Sequence, residues 1–118
     1  MTEKDYNHFK SMLNFALRVR NRVDGISLER FLTDEERQDL ILYPIGQLGE
    51  HASNISEESR DKYHEILWNP IIGIRNRVFH SYEHIDMRIV YKAALDHIPI
   101  LIPQLQSIID SEVLEDIV

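Results

Sequence analysis

Residues 5–23 read DYNHFKSMLNFALRVRNRV. Their apolar side chains recur at steps of three and four residues, which places them on one face of an α-helix. The positions of this stripe are Phe9, Met12, Ala16, Val19 and Val23. Asp24-Gly25 follows, and a glycine there suits the left-handed cap that ends many helices. We therefore predict a long amphipathic helix that ends near residue 24.

A second apolar stripe follows the same spacing, at Ile41, Ile45, Leu48, Ala52 and Ile55. Thr33 and Glu36 have the spacing of a capping box, so we predict that this second helix opens at Thr33. Pro44 lies inside the stripe and predicts a kink. Gly46 and Gly49, three residues apart, would let a neighbouring helix come close. We expect these glycines to serve packing.

The second half of the chain also has helical patterns. Asn69-Pro70 predicts a helix start, with the asparagine as N-cap, for a helix that runs to about His80. Asp86 is the expected N-cap of the next helix, and two prolines predict that residues 98–109 form a broken or kinked helix. No strand-like alternation of useful length occurs. We therefore expect an all-α, antiparallel bundle of four to five helices, one domain over residues 1–118.

Composition excludes several classes of protein. The 118 residues contain no cysteine, which rules out disulfide scaffolds, thiol nucleophiles and cysteine zinc sites. The net charge of −7 argues against broad non-specific binding of nucleic acid. The most apolar stretch, residues 98–103, is too short to cross a bilayer, and the polar N-terminal residues lack the apolar region of a secretory signal. We expect a soluble, cytoplasmic protein.

Chemistry concentrates in the stretch RNRVFHSY, residues 75–82, where Arg75 and Arg77 lie within a region that has no acid. The imidazole of His80 can exchange a proton near neutral pH, and the guanidinium of Arg75 offers a planar fork for phosphate. Together these groups suit the attack of an RNA 2'-hydroxyl on its neighbouring phosphate, a reaction that needs no metal.

The spacing of this pair limits how it can act. Residues five apart on a straight helix differ by roughly 140° in direction, so Arg75 and His80 would point apart, whereas Asn76 and His80 would share a face. Two arrangements could unite the pair at one phosphate. The helix could end at about His80 with the imidazole swinging back, or a two-fold dimer could bring groups from both chains into one cleft.

The segment WNPIIGIRNRVFHSYEHID, residues 68–86, closely resembles the Arg-x-x-x-x-His motif of the HEPN superfamily. The tyrosine two residues after the histidine extends the motif to His-x-Tyr, so the chain looks like a member of the HepT-like branch. Further matches are FLTD at residues 31–34 and IGQLGE at residues 45–50. The resemblance covers nearly the whole chain and fits the Arg, Asn, His and Tyr positions of the motif.

The resemblance implies a homodimeric, HEPN-like helical, metal-independent endoribonuclease without cofactor, with a higher oligomer left open. It would be the toxin of a type VII-like toxin–antitoxin pair of the HepT/MntA kind, neutralised by an MntA-like nucleotidyltransferase antitoxin. Carried over to this sequence, Arg75 would hold the RNA phosphate and His80 would transfer the proton. Asn76 would orient the site, and Tyr82 would be the adenylylated hydroxyl. AMP on Tyr82 would repel and block an RNA phosphate.

Other interpretations of the same region stay open. His80 and His84 are four apart, but a zinc site needs three or four converging ligands, so we expect no metal. Glu50 could reach a dimer cleft or pair with an arginine, and a structural role is favoured over a catalytic one. Arg88 and Lys92, four apart, could extend a path for RNA phosphates.

The competing function is a non-catalytic helical partner that binds and regulates a nucleotidyltransferase and keeps the motif for packing and modification. The negative net charge of the chain favours that alternative, whereas the presence of Arg75, His80 and Tyr82 at the motif positions favours the ribonuclease. Gly73 would permit close approach of a second copy at a symmetry axis. Trp68 is expected in the core rather than as a platform for an RNA base.

Overall fold

The computed structural model describes residues 1–112, and every regular element in that range is helical. In chain order the elements are α1 (Glu3–Val23), α2 (Leu28–Thr33), α3 (Glu35–Ser53), α4 (Glu57–Lys62), α5 (Trp68–His80), a 3₁₀ turn (Tyr82–His84), α6 (Met87–Lys92), a π-helical segment (Ala93–His97) and α7 (Ile98–Ser111). This confirms the predicted all-α bundle. The last six residues of the predicted domain lie outside the described residues.

The four long helices pack in a simple order. α1 packs on α3, α5 also packs on α3, and α7 packs on α1. The predicted apolar stripe of α1 is buried in the core, and so is the second stripe, whose last residue, Ile55, lies just past the end of α3. In the stretch from residue 1 to 112, no helix combines the length and the hydropathy that crossing a bilayer requires. Because α5 packs on α3, α3 is the helix that positions α5.

The start of α3 differs from the prediction by one residue. Asp34 is the N-cap, and its carboxylate accepts a hydrogen bond from the Arg37 N–H at 3.0 Å. Thr33 is instead the last residue of α2, where its hydroxyl donates to the carbonyl oxygens of Glu29 and Arg30. The predicted capping box at Thr33 is wrong because the short helix before it extends to that threonine.

The start of α5 also lies earlier than predicted. The helix begins at Trp68 after Leu67, without a side-chain cap, so Asn69 lies inside the first turn and is not the N-cap. The indole of Trp68 is buried against Phe9, and its Nε1 donates to the Tyr63 carbonyl at 3.1 Å. Packing of this ring into the core sets the start of α5, which confirms the expected core role of Trp68.

Two prolines are accommodated without ending their helices. Pro44 lies inside α3 and has no N–H for the carbonyl of Leu40, one turn earlier. Arg22 on α1 supplies the missing donor, since its Nη1 bonds that carbonyl at 2.7 Å. α7 is continuous through Pro103, with Pro99 in its first turn, so of the predicted broken or kinked helix over residues 98–109 the broken alternative is wrong. The irregular turn precedes α7, in the π-helical segment.

Two glycines bring α3 and α5 into close contact. A Cβ atom on Gly49 would lie 2.2 Å from the Cβ of Arg75 and 2.9 Å from the carbonyl oxygen of Ile71. A Cβ atom on Gly46 would lie 3.1 Å from Cγ1 of Val78. The predicted packing role of both glycines is confirmed. As a result, the backbone of α5 at Arg75 lies directly on α3, next to Glu50.

We expect Gly49→Ala to destabilise the protein by about 1–3 kcal/mol, because the new methyl group meets a backbone oxygen and a Cβ atom that cannot move without shifting α5. Gly46→Ala is the matched comparison, since it meets only side-chain atoms that can give way. Its helix-propensity gain of roughly 0.5–1 kcal/mol should offset most of the strain. Urea denaturation measures both variants. If the two variants are equally stable, the backbone of α5 does not limit the space for a side chain at Gly49.

Candidate active site

The guanidinium of Arg75 is held against α3 by Glu50. Nε and Nη2 lie 2.8 Å and 2.7 Å from Oε2 of that carboxylate, and Nη1 donates to Oδ1 of Asn76 at 2.6 Å. The Cζ atom also lies 4.8 Å from the centre of the Phe79 ring. The Arg75 side chain is 26% exposed, so solvent and ligands still reach it. The arrangement fixes the direction of a positive charge at an accessible position.

Glu50 thus adopts one of its two predicted roles, pairing with an arginine. The close contact at Gly49 accounts for this, because it places the Arg75 backbone beside the residue that follows the glycine. Charge-assisted hydrogen bonds of this kind are stronger than neutral ones and restrict the side chain that donates them. Glu50 therefore orients Arg75 in this structure.

His80 is the last residue of α5, and its ring is exposed. Within residues 1–112 the imidazole forms no hydrogen bond, ion pair or ring contact with Arg75 or with any other residue. Arg75 turns towards α3, whereas His80 turns towards solvent, as the roughly 140° between positions five apart requires on a helix that is regular to its end. The structure therefore does not unite the two groups within one chain. Asn76 is exposed on the face of His80 and bonds Arg75.

Tyr82 lies in the 3₁₀ turn just after α5, and its side chain is 46% exposed. Its hydroxyl donates a hydrogen bond to Oδ1 of Asp39 on α3. This bond to a carboxylate, with smaller contributions from burial and from the negative charge, raises the pKa of Tyr82 from 10.0 to about 12. The hydroxyl is therefore protonated at neutral pH and anchored to α3.

Asp39 is a site residue that the sequence prediction missed. Asp39, Gly46 and Glu50 are spaced i, i+7 and i+11, which places them on one face of α3. That face contacts α5 and the turn after it through the bonds to Arg75 and Tyr82. The shared spacing was the signal in the sequence that could have identified Asp39.

The histidines form no metal centre among the described residues: within residues 1–112 no three His, Asp or Glu side chains converge as a metal ion requires. His84 lies exposed in the 3₁₀ turn. Away from α5, Nδ1 of His8 on α1 lies 2.9 Å from Nδ1 of His51 on α3. Burial, followed by the charge of His8, lowers the pKa of His51 below its usual value.

Comparison with known proteins identifies the family and the relatives of this chain. The model of the HepT-like ribonuclease family matches residues 12–108. A protein of Caldanaerobacter subterraneus subsp. tengcongensis, named as a candidate RNase, is 32% identical over 91 residues, which cover 77% of this chain and 81% of the relative. A "Probable ribonuclease HepT" of Thermococcus cleftensis is 29% identical over 76 residues, or 64% of this chain and 69% of the relative. No solved structure matches the chain significantly.

The part of the chain that matches the family includes the site residues. It spans most of the chain and includes α3, α5 and the whole segment from Arg75 to Tyr82. The chain therefore belongs to the HepT-like ribonuclease family and is an endoribonuclease by that membership.

Proposed function

We propose that this endoribonuclease is the toxin of a toxin–antitoxin pair and cuts RNA without a metal ion, through Arg75 and His80. One observation carries the proposal: α5 presents two side chains that differ in how they are held. Glu50 holds Arg75 in a fixed direction, whereas the imidazole of His80 is exposed and has no partner in the described chain. The first can neutralise a phosphate, and the second can move a proton.

The reaction balances with these two groups. His80 accepts the proton of the 2'-hydroxyl as the 2'-oxygen forms a bond to phosphorus. The bond from phosphorus to the 5'-oxygen breaks, which leaves a 2',3'-cyclic phosphate, and the leaving 5'-oxygen takes a proton from water. The proton held by His80 then returns to solvent. Arg75 stabilises the additional negative charge on the phosphate oxygens, and its orientation costs no rearrangement because Glu50 already holds it. The amide of Asn76, bonded to Nη1, can turn aside to admit a phosphate oxygen.

A second copy of the chain completes the site in this proposal. Arg75 and His80 face different directions, so one chain does not present both to one phosphate. Asn76 and His80, four residues apart, are exposed on one side of α5, and the amide of Asn76 also bonds Arg75. A two-fold axis beside the end of α5 would place the exposed part of the Arg75 guanidinium of one copy and the His80 imidazole of the other in one cleft.

The composite site predicts complementation. We expect Arg75→Ala and His80→Ala each to lower RNA cleavage by about 10²–10⁴-fold, because each removes a group that acts on the reacting phosphate. Mixing the two inactive proteins under conditions of subunit exchange should restore roughly a quarter of wild-type activity, since half of the dimers then carry one intact site of two. Cleavage of a fluorescent single-stranded RNA measures this.

Two controls accompany that experiment. His84→Ala alters an exposed histidine outside the proposed chemistry and should cleave like the wild type, and excess chelator should leave cleavage unchanged. A mixture that stays inactive would contradict the composite site. If the purified wild type leaves RNA intact and its expression does not arrest growth, the non-catalytic partner of a nucleotidyltransferase becomes the better assignment.

We further propose that the antitoxin is a nucleotidyltransferase of the MntA kind that adenylylates Tyr82. The exposure of Tyr82 and its position two residues after His80 support this. A nucleotidyl group on Oη would replace the O–H donor with a phosphodiester anion beside the Asp39 carboxylate. The like charges would repel, so the modified side chain would leave Asp39 and place its charge near the RNA site.

Mass spectrometry after co-expression with a nucleotidyltransferase partner tests this modification. We expect one or more AMP units on Tyr82, loss of RNA cleavage, and no added mass on Tyr82→Phe. Tyr43 is the matched control because it is 58% exposed and lies on α3. Label on Tyr43 instead of Tyr82, or full cleavage activity of the labelled protein, would contradict the proposed neutralisation.

The anchoring of Tyr82 has its own test. Asp39→Asn removes the negative acceptor, so the pKa of Tyr82 should fall from about 12 towards 10.0 and its ionisation should begin at lower pH. Ultraviolet absorbance of tyrosinate during an alkaline titration, with Tyr82→Phe subtracted, isolates this residue. An unchanged titration in Asp39→Asn would mean that the carboxylate does not bind the hydroxyl in solution.

A further inference from the structure

A groove runs between α5 and the chain from α6 into the π-helical segment. Three basic side chains line it, Arg77 from α5, Lys92 from the end of α6 and His97 from the end of the π-helical segment. The apolar side chains of Ile74 and Ile89 also line it. The groove thus combines the positive charges of Arg77 and Lys92 with an apolar surface.

The charge of this groove is opposite to that of the protein. No Asp or Glu lines it, although the chain carries 20 acids against 13 lysines and arginines. Arg77, Lys92 and His97 are all exposed, and in residues 1–112 none of these side chains makes a hydrogen bond or an ion pair. Arg75 and Lys62, by contrast, each pair with a glutamate. The groove therefore keeps its positive charge available for an anion from outside the chain.

The groove is also aligned with the proposed chemistry. Gly73, Arg77 and His80 are spaced i, i+4 and i+7, so they follow one side of α5, and Gly73 itself lines the groove. A strand that occupies the groove along Arg77 is therefore led to the imidazole at the end of the helix. The spacing makes the groove an approach to His80 rather than a separate surface.

We propose that this groove binds the backbone of single-stranded RNA next to the linkage that is cut, with Arg77 and Lys92 contacting phosphates. This assignment rests on the proposed RNA cleavage at His80. A single strand fits better than a duplex because its unstacked bases and riboses can lie on Ile74 and Ile89 while its phosphates meet the basic groups. The affinity for RNA then depends on contacts in this groove as well as on contacts with Arg75 and His80.

Binding and cleavage of a fluorescent single-stranded oligoribonucleotide test the groove. The variants are Arg77→Gln and Lys92→Gln, and the matched control is Lys4→Gln, an exposed lysine on α1 with no partner in the described chain. Affinity is measured in the His80→Ala background, where RNA stays intact, over a range of salt concentrations. Cleavage is measured with His80 present, and thermal unfolding checks that each variant folds.

We expect each groove variant to bind RNA roughly 3- to 10-fold more weakly at low salt and to lower the salt dependence by about 0.7 in the log–log slope, the value for one phosphate contact of a single strand. KM should rise while kcat at saturating RNA stays close to that of the wild type. Lys4→Gln should change neither quantity. A duplex of the same sequence should bind more weakly than the single strand.

Several results would overturn the assignment. If Arg77→Gln and Lys92→Gln bind RNA like Lys4→Gln while the wild type cleaves, the groove assignment fails and the proposed chemistry stands. If the variants lose the dimer in light scattering, the groove is a protein interface instead. If the wild type itself does not cleave, the proposed function fails first, whatever the groove variants do.

Discussion

Contact between Gly49 and the backbone of α5 at Arg75 is the constraint on which the site depends. No side chain larger than hydrogen fits between the two helices at this level, because a Cβ atom there would lie 2.2 Å from that of Arg75. The contact places the guanidinium within reach of Glu50, the next residue of α3. Helix packing and the orientation of the proposed phosphate-binding group are therefore one feature of the structure.

The same face of α3 controls both ends of the motif. Glu50 fixes Arg75 in the middle of α5, and Asp39 holds the hydroxyl of Tyr82 just beyond the end of the helix. His80 lies between these two anchors and is itself held by neither. This arrangement suits a group that must exchange a proton and meet a substrate, while the groups around it stay in place. It also makes Tyr82 a position from which a modification would reach His80.

The distribution of charge explains how an acidic protein can act on RNA. Broad attraction to phosphate is weak at a net charge of −7, so any affinity has to come from local features. Glu50 neutralises part of the charge of Arg75 in the free chain, whereas Arg77 and Lys92 keep theirs. The groove assignment accounts for this difference: one arginine is oriented for chemistry, and the other cations are available for binding.

Local pattern in the sequence determined the helical class and the two buried apolar stripes. It also determined the packing role of the two α3 glycines and the N-cap at Asp86. Each of these features follows from the spacing of residues along a single helix. Local pattern did not determine helix starts that depend on neighbours: Trp68 begins α5 because its indole enters the core, and Thr33 belongs to α2. Tertiary structure alone selected Arg75 as the partner of Glu50 and Asp39 as the partner of Tyr82, residues 25 and 43 positions apart. The physical reason is that such pairs form across the packing of α3 on α5, and periodicity within one helix carries no information about which residues of another helix it will meet.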